Sequence, residues 1–425
     1  MEASKKDIIY LDHAAATPLC DKALKAMLPY FSECFFNPSA PYLPALEAHQ
    51  SYESAKSEIA RAIGAKSADL VITAGATESI NLAFTATSEH ILISEIEHSA
   101  VFAAAQKAGN YETIKVNQHG VLDLADLKSK IMPKTNFISV ALVNGELGTI
   151  QPMSEIAAII KQERQNRLKS GNKTPILLHS DASQGLGLLD VNIARLGVDL
   201  LTLNSAKIYG PKGVGSLWFG HAVKLQPVVV GGGQELGLRS GTENVPGVIG
   251  FAAAITETKK HISSERKRLE SLRETLVDEL SMWFEKYLFG NVRSYGEDKR
   301  GDPATAGVDD AVAKKIFSNS PPFLILGNPK CQLASFLPLS FPGLDAERLI
   351  FKLDQKGVLV STGAACAASK GKKSATLKAI GLSDAEIAGS LRLTLGKLST
   401  EQNIKKAAKL IAESVTEELK RLQNA

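Results

Sequence analysis

The sequence predicts an α/β protein with a mostly parallel sheet that is covered by helices on both faces. Apolar runs typical of buried strands recur through the first half of the chain, at 70–72, 90–94, 137–143, 175–179 and 200–203. Stretches of about ten residues or more with helical spacing of apolar side chains separate several of these runs. Strands that alternate with such helices indicate a parallel sheet, whose ligands bind beyond the carboxyl ends of the strands.

The predicted elements start at the amino terminus. A short strand begins near Ile8, and a helix with apolar residues at helical spacing covers 19–31. Residues 35–50 contain three prolines and predict an irregular loop, which leads into a helix that ends near Gly64. From there the strand and helix segments alternate up to the apolar run that ends at Leu203.

The second half of the chain begins with a long helix. Pro246 suits its first turn, and apolar residues continue at helical spacing to Phe284. Residues 290–330 are rich in Gly, Pro, Asn and Asp and show no sustained period, which predicts a surface insertion. Strands and a helix resume over 335–362, and a final helix opens at Ser399 with a capping-box pattern.

Length and composition restrict the classes of protein. A chain of 425 residues is too long for one simple core, so we expect two domains. We predict a large domain over 15–255 and a small domain made of 1–14 and 256–425, with an insertion near 296–330. A net charge of +4 is too weak and dispersed to indicate nucleic acid. No apolar run approaches the ~18 residues that span a membrane, and no signal-peptide core opens the chain, so we expect a cytoplasmic protein.

The spacing of the cysteines does not match a disulfide framework or a zinc site. Four are present, namely Cys20, Cys34, Cys331 and Cys366, and no two of them make a CxxC pair. This spacing favours free thiols over a zinc site or disulfides, so we expect no bound metal. One of the four thiols can still serve as a nucleophile.

A lysine marks the segment around which we expect the rest of the chain to be organised. In DLLTLNSAKIYGPKG, Lys207 follows a buried apolar strand and precedes a Gly/Pro turn. A lysine at the end of a strand that lines a pocket can form a Schiff base with a carbonyl compound such as pyridoxal phosphate (PLP). A surface lysine in a turn explains the same segment equally well, so other segments have to decide.

Three further segments fit a cofactor site. The segment DLVITAGATESINL places Gly75 and Thr77 between a strand and a helix, where backbone N–H groups can bind phosphate. Asp181 follows another strand and could pair with a protonated pyridine nitrogen. His98 could stack on a ring and move protons near neutral pH. Each also has an ordinary structural explanation as a helix cap, a turn former or a buried histidine.

Nine segments, taken in their order along the chain, are specific for one protein family. YLDHAAATP, GATESINL, EHSAV, VNGELGTIQP, SDASQ, SAKIYGPKG, RSGTENVPG, STGAAC and SLRLTLG occur in the order found in one known family. The chain closely resembles the NifS/IscS-type cysteine desulfurases, fold-type I PLP enzymes of the class V aminotransferase group. The resemblance runs from about Ile9 to the C-terminal helix. It implies a large domain with a seven-stranded, mostly parallel sheet and a smaller α+β domain that carries the catalytic cysteine loop.

The resemblance also implies how the cofactor is held. Lys207 holds PLP, Asp181 pairs with its ring nitrogen, His98 stacks on the ring and acts in catalysis, and Gln184 contacts the phenolic oxygen. The phosphate is bound by Ala76, Thr77, Ser205 and the neighbouring subunit's Thr242.

The implied substrate is L-cysteine. Arg392 falls where the family binds the substrate carboxylate, and Asn37 is a second substrate-binding candidate that could equally be a turn former. The thiolate of Cys366 attacks the substrate sulfur, which leaves a persulfide and alanine. The implied partners are a second copy of the chain and a sulfur acceptor, either an iron–sulfur scaffold or a tRNA thiolation enzyme.

Two positions depart from the family pattern. Gly145 stands where the family has an asparagine that contacts the phenolic oxygen, and Ala206 stands where a histidine helps to bind phosphate. These departures leave open a degenerate protein that serves as a non-catalytic scaffold. A second alternative, an aminotransferase or selenocysteine lyase on the same scaffold, would not require Cys366.

Overall fold

The computed structural model describes residues 8–87, 89–289, 322–363 and 373–424, without the side chains of 288 and 289. These residues form two compact units. The large unit contains Ala14–Gly145 and Thr149–Glu265, and the small unit contains the described parts of 1–13, 146–148 and 266–425. Residues 364–372 and most of the predicted insertion, from 296 to 321, lie outside the described residues.

Short strands and helices alternate along most of the chain that the structure describes. The strands are β1 (Ile9–Tyr10), β2 (Leu70–Thr73), β3 (His90–Ser94), β4 (Asn110–Ile114), β5 (Thr135–Ser139), β6 (Leu177–Asp181), β7 (Leu200–Asn204), β8 (Gly215–Phe219), β9 (Leu324–Ile325), β10 (Phe336–Ser340), β11 (Val358–Leu359) and β12 (Ser390–Thr394). The helices are α1 (Asp21–Met27), α2 (Pro29–Ser32), α3 (Leu43–Ala62), α4 (Ala76–Ala83), α5 (Ser99–Ala108), α6 (Leu124–Lys130), α7 (Met153–Ser170), α8 (Ile193–Leu196), α9 (Val245–Phe289), α10 (Ala346–Gln355), α11 (Ala375–Ala379), α12 (Asp384–Ala388) and α13 (Glu401–Gln423).

A seven-stranded sheet forms the centre of the large unit, in the order β2-β8-β7-β6-β5-β3-β4. The five strands from β7 to β4 are parallel, and β8 is antiparallel to both of its neighbours. Strands β3 and β5 are buried along their whole length, as expected for parallel strands covered on both faces. Exposed and part-buried residues alternate over most of β4, the edge strand. The predicted α/β class with a mostly parallel seven-stranded sheet is confirmed.

The small unit combines small sheets with helices. Strand β1 pairs in parallel with β11, and β12, β10 and β9 form an antiparallel sheet in that order. The last helix, α13, buries Ile404, Ile411, Val415 and Leu419. Its Glu418 is buried, and hydrogen bonds from Lys352, Arg421 and Arg348 outweigh its desolvation and lower its pKa to about 2.

The structure corrects several boundaries. Helix α3 begins at Leu43, so the predicted irregular loop over 35–50 is wrong in its second part, because Pro44 is tolerated in a first helical turn. The last helix is capped by Thr400, whose hydroxyl accepts from the Asn403 N–H at 3.2 Å, and not by Ser399. Strand β8 has no counterpart among the predicted strands. Among the described residues, none of the helices combines the length with the hydropathy that a membrane span requires.

We predict that Gly148→Ala destabilises the protein more than Gly171→Ala does. Both glycines have φ near +70°, so alanine is strained at each, but a Cβ on Gly148 would lie 2.4 Å from Cβ of Phe336 and one on Gly171 would meet nothing within 4 Å. The difference between the two substitutions isolates the clash, which we expect to cost about 1 to 3 kcal/mol. Denaturant unfolding measures both. Equal losses of stability would contradict the packing at Gly148.

Candidate active site

The amine of Lys207 is held at the carboxyl end of β7. Residues Ser205–Lys207 form one 3₁₀ turn directly after the strand, and the side chain of Asn204 accepts the Ala206 N–H at 3.1 Å. The half-buried Lys207 donates from Nζ to the carbonyl oxygens of Ala14 and Ala15, at 2.7 and 2.6 Å. The turn therefore restricts the position of the Lys207 amine, which is hydrogen-bonded to the backbone at residues 14 and 15.

Asp181 and Gln184 belong to the neighbouring strand end. Asp181 is the last residue of β6 and is paired in register with Thr202 of β7, and its Oδ1 accepts the Ser183 N–H at 2.9 Å. Gln184 donates from Nε2 to the Ala14 carbonyl oxygen at 3.1 Å. Since Lys207 donates to the same oxygen, the structure brings the Gln184 amide and the Lys207 amine together.

His98 begins α5 as its N-cap. Its Nδ1 accepts the Ala100 N–H at 3.1 Å, so the proton of the neutral ring is on Nε2. The imidazole is exposed. The predicted proton carrier therefore has a fixed orientation and a donor on its outer nitrogen.

Glu97, the residue before His98, is a buried carboxyl that the sequence interpretation missed. It is 7% exposed, and its Oε1 accepts the Ala141 N–H at 2.7 Å. Burial is the main cause that raises its pKa to about 8, and the charge of Asp181 raises it further, against the Ala141 hydrogen bond. Glu97 is therefore mostly neutral at pH 7.

The N-terminus of α4 fits a phosphate. Gly75 has a φ of 144° and a ψ of −179°, and a Cβ there would meet nothing within 4 Å, whereas a Cβ on Gly215 would lie 2.7 Å from Cα of Gly75. Gly75 and Gly215 thus allow α4 to begin close to the ends of β7 and β8. The first N–H groups of α4 and the exposed hydroxyl of Thr77 are available to bind a phosphate. Oγ of Ser205 is buried and has no hydrogen-bond partner in the described part of the chain, and it lies against Gly210, where an added Cβ would come within 2.1 Å of it.

The remaining predicted residues are placed as follows. Ala76 opens α4 and Thr242 is exposed. Asn37 is exposed and accepts the Ser39 N–H through Oδ1 at 3.0 Å, which is the turn-forming alternative.

Arg392 of the small unit is 7% exposed and donates to Oδ1 of Asp12 at 2.7 Å, a pair the sequence interpretation missed. Cys366 lies outside the described residues.

The two missed carboxylates, Asp12 and Glu97, each stand next to a motif histidine. Their places within the motifs could have identified them, because motif residues without an assigned role are candidates for contacts that orient the functional residues. In the described residues, no group of three or more His, Cys, Asp or Glu side chains could hold a metal ion.

Comparison with known proteins identifies the family. A family model described as aminotransferase class-V matches residues 9–298. Cysteine desulfurase IscS 1 of Archaeoglobus fulgidus is 35% identical over 406 residues, which are 93% of this chain and 94% of that protein. A solved NifS-like protein superposes with a TM-score of 0.80 at 27% identity, covering 96% and 98% of the two chains. The structure of SspA in complex with cysteine gives a TM-score of 0.68 at 26% identity, covering 91% and 98%.

An α/β protein with a lysine beyond a parallel strand and a phosphate cradle at a helix start fits the class of PLP enzymes. The chain belongs to the aminotransferase class-V family and, within it, to the NifS/IscS-type cysteine desulfurases, which confirms the resemblance read from the motifs. Its fold is therefore fold-type I. Both families depend on PLP.

We predict that Glu97→Gln removes a pH dependence of stability. The pKa of Glu97 is about 8 in the folded protein and near 4.5 when unfolded, so its stabilisation is complete below about pH 4.5 and is lost as the pH rises to about 8. In that window the loss is at most about 1.4 kcal/mol per pH unit. Glutamine can still accept the Ala141 N–H but does not titrate. The free energy of unfolding of Glu97→Gln, relative to that of the wild type, should therefore rise from pH 5 to pH 8 when both are measured by urea unfolding. If the two free energies change with pH in parallel, the pKa of Glu97 is not raised.

We further predict that Gly145→Asn slows the loss of PLP. A Cβ on Gly145 would lie 3.6 Å from Nε2 of Gln184, an ordinary contact, so a side chain fits next to the residue assigned to the phenolic oxygen. One added hydrogen bond to a charged group contributes roughly 1.5 to 3 kcal/mol, or about tenfold to a hundredfold in dissociation. Gly145→Ala is the matched control, because it adds the Cβ without a donor. Equal rates of PLP release from the two variants would place the contact elsewhere.

Proposed function

We propose that this protein is a PLP-dependent cysteine desulfurase, which converts L-cysteine to L-alanine and leaves a persulfide on Cys366. The observation that carries the proposal is the 35% identity to the Archaeoglobus fulgidus desulfurase over 93% of the chain. The complex of SspA with cysteine, at 26% identity, supports L-cysteine as the substrate.

The residues of the large unit fit PLP. Lys207 supplies the amine for the aldehyde, Asp181 the carboxylate for the ring nitrogen, His98 the stacking ring, and Gln184 the contact to the phenolic oxygen. The phosphate is assigned to the start of α4, to Ala76 and Thr77, with the unpaired Ser205 hydroxyl and the neighbouring subunit's Thr242. When bound, the cofactor supplies an electron sink for the bonds at the substrate Cα.

The residues of the chain perform the transfer and the proton movements. An S–S bond forms between Cys366 and the substrate sulfur while the substrate Cβ–S bond breaks, so that L-cysteine and one protein thiol give alanine and one protein persulfide. No external oxidant is needed for this balance. Nζ of Lys207 and Nε2 of His98 are the assigned proton carriers, since the structure orients both groups.

Arg392 is assigned to the substrate carboxylate, with Asn37 as the second candidate. The guanidinium is a rigid fork with several donors, and the pair with Asp12 uses one end of it. Asp12 therefore orients Arg392, whose Nη1 also donates to the carbonyl oxygen of Gly363 at 3.5 Å. A guanidinium suits this position better than an ammonium group, because its planar fork matches the geometry of a carboxylate.

The proposed assembly is a homodimer that passes sulfur to an iron–sulfur scaffold or a tRNA thiolation enzyme in the cytoplasm. Exposed large apolar side chains in the stretch 24–46 support a second copy, because exposed apolar clusters mark interaction sites. The rings of Phe35 and Phe36 stack at 4.7 Å, and that of Phe36 meets Tyr42 at 6.1 Å. The exposed members between 24 and 46 are Leu24, Leu28, Phe31, Phe35, Tyr42, Leu43 and Leu46.

The function predicts different losses for two substitutions. Cys366→Ala should keep the visible absorbance of the bound cofactor and its change on addition of L-cysteine, but release no sulfide in the presence of a thiol reductant. Lys207→Ala should lose that absorbance and the activity together. Cys331→Ala is the control, because this exposed free thiol of the small unit matches no motif and should leave sulfide release unchanged. Sulfide release by Cys366→Ala at the wild-type rate would favour the lyase alternative.

A further inference from the structure

The segment 14–17 contacts the turn that carries Lys207 through a buried hydroxyl. Oγ1 of Thr17 donates to the Ala206 carbonyl oxygen at 3.0 Å and accepts the Tyr209 N–H at 2.9 Å. Thr17 is 3% exposed. This one hydroxyl donates and accepts, and its two partners are backbone groups on either side of Lys207. Thr17 therefore fixes the distance between the segment and the turn.

The backbone of Tyr209 shows why the turn needs this support. Its φ is 65°, a left-handed conformation that a bulky residue keeps only where the surrounding structure holds it. Its N–H is held by Thr17, and its carbonyl oxygen accepts the Cys20 N–H at 2.9 Å. Nζ of Lys212 adds a further contact, because it donates to the Thr17 carbonyl oxygen at 2.9 Å. Several hydrogen bonds thus join the segment to the turn.

The same segment supplies two carbonyl oxygens that bind the amine of Lys207. Nζ donates to the carbonyl oxygen of Ala14 at 2.7 Å and to that of Ala15 at 2.6 Å. Two acceptors from consecutive residues restrict the position of Nζ more than one acceptor would. A shift of the segment relative to the turn would therefore move both acceptors away from the amine.

Gln184 relates this amine to the assigned cofactor contacts. Its Nε2 donates to the same Ala14 carbonyl oxygen at 3.1 Å, and Gln184 is the residue assigned to the phenolic oxygen of PLP. In PLP the phenolic oxygen and the aldehyde are attached to adjacent ring carbons. The Ala14 carbonyl therefore brings Nζ of Lys207 next to the residue assigned to that side of the ring.

We propose that the carbonyl oxygens of Ala14 and Ala15 form a holding site for the amine of Lys207 while this amine carries no cofactor, and that Thr17 is the positioning residue that keeps the site against the turn. The proposal rests on the proposed function, because it takes Lys207 as the residue that bonds to the PLP aldehyde. A C=N bond then forms between Nζ and the aldehyde carbon, and both amine protons leave with the aldehyde oxygen as water. The rate of such a reaction depends steeply on where the reacting atoms are held.

A positioning role and a structural role predict different results. If Thr17 only stabilised the fold, its loss would lower the free energy of unfolding, and PLP loading would decline in proportion to the folded fraction. As a positioning residue, Thr17 changes the rate at which PLP bonds to Lys207 in protein that is fully folded. The decisive measurement is the rise of visible absorbance when PLP is added to the full-length protein from which PLP has been removed.

The experiment compares Thr17→Val, Thr17→Ser and Lys212→Met with the wild type. Thr17→Val removes the hydroxyl and nearly keeps the shape, and we expect loading to slow about tenfold, since a misplacement of about 1 Å can cost up to about a hundredfold. Thr17→Ser keeps the hydroxyl and should load at close to the wild-type rate. Lys212→Met removes one contact of the segment through an exposed side chain and should slow loading several-fold.

Thr85→Val is the matched control. Oγ1 of Thr85 also joins two backbone groups of the large unit, since it donates to the Leu82 carbonyl oxygen at 2.7 Å and accepts the Gln226 N–H at 2.9 Å. Both partners lie outside 14–17 and outside the turn of Lys207. Thr85→Val should therefore load PLP at the wild-type rate.

The outcomes separate this inference from the function on which it rests. A wild-type protein that gains no visible absorbance with PLP would overturn both. A wild type that loads PLP and releases sulfide from L-cysteine, together with wild-type loading rates in Thr17→Val or in Lys212→Met, would overturn the inference and leave the function standing. Equal slowing in Thr85→Val, or no recovery in Thr17→Ser, would also overturn it, because the contacts of the Thr17 hydroxyl would then not be the cause.

Discussion

The parallel pairing of β3, β5, β6 and β7 is the constraint on which the candidate site depends. Neighbouring parallel strands end at the same edge of a sheet, so the residues that follow them meet there. Backbone bonds tie these ends together, since Leu142 donates to the Asp181 carbonyl and Ala182 to the Thr202 carbonyl, at 2.9 and 3.0 Å. His98, Asp181 and Lys207 need no contact with one another to be placed at this edge, because the strands place them.

A row of buried hydrogen bonds between side chains stabilises this pairing inside the sheet. His179 of β6 bonds to the hydroxyls of Ser139 on β5 and Thr202 on β7, at 2.9 and 3.0 Å. Burial lowers the pKa of His179 to about 3, so the ring stays neutral and can donate on one nitrogen and accept on the other. A shift of any of these strands by one residue would leave buried polar groups without partners, so the chain specifies the register as well as the packing.

Local patterns were enough to predict the parallel strands, the position of Lys207 at a strand end and the glycine between β2 and α4, because each is determined by a few consecutive residues. Strand β8 was not predicted at all, and its antiparallel pairing depends on the turn at 205–214 and on partner strands on both sides, β7 and β2. The pair of Asp12 with Arg392 joins opposite ends of the chain, and no spacing rule connects them. Glu97 was missed because its neutrality arises from burial, which only the folded structure determines.

The amino-terminal strand has a consequence for how the protein is made. Strand β1 is translated before the large unit, but its partner β11 begins only at Val358, and the partner of Asp12 is Arg392. Large chains generally fold from the amino terminus during synthesis. The large unit is complete once Glu265 has been translated, whereas β1 has to wait for its partner strand. A chain interrupted between these two points would contain a formed sheet and a strand without its partner, and such a segment is a ready substrate for proteolysis.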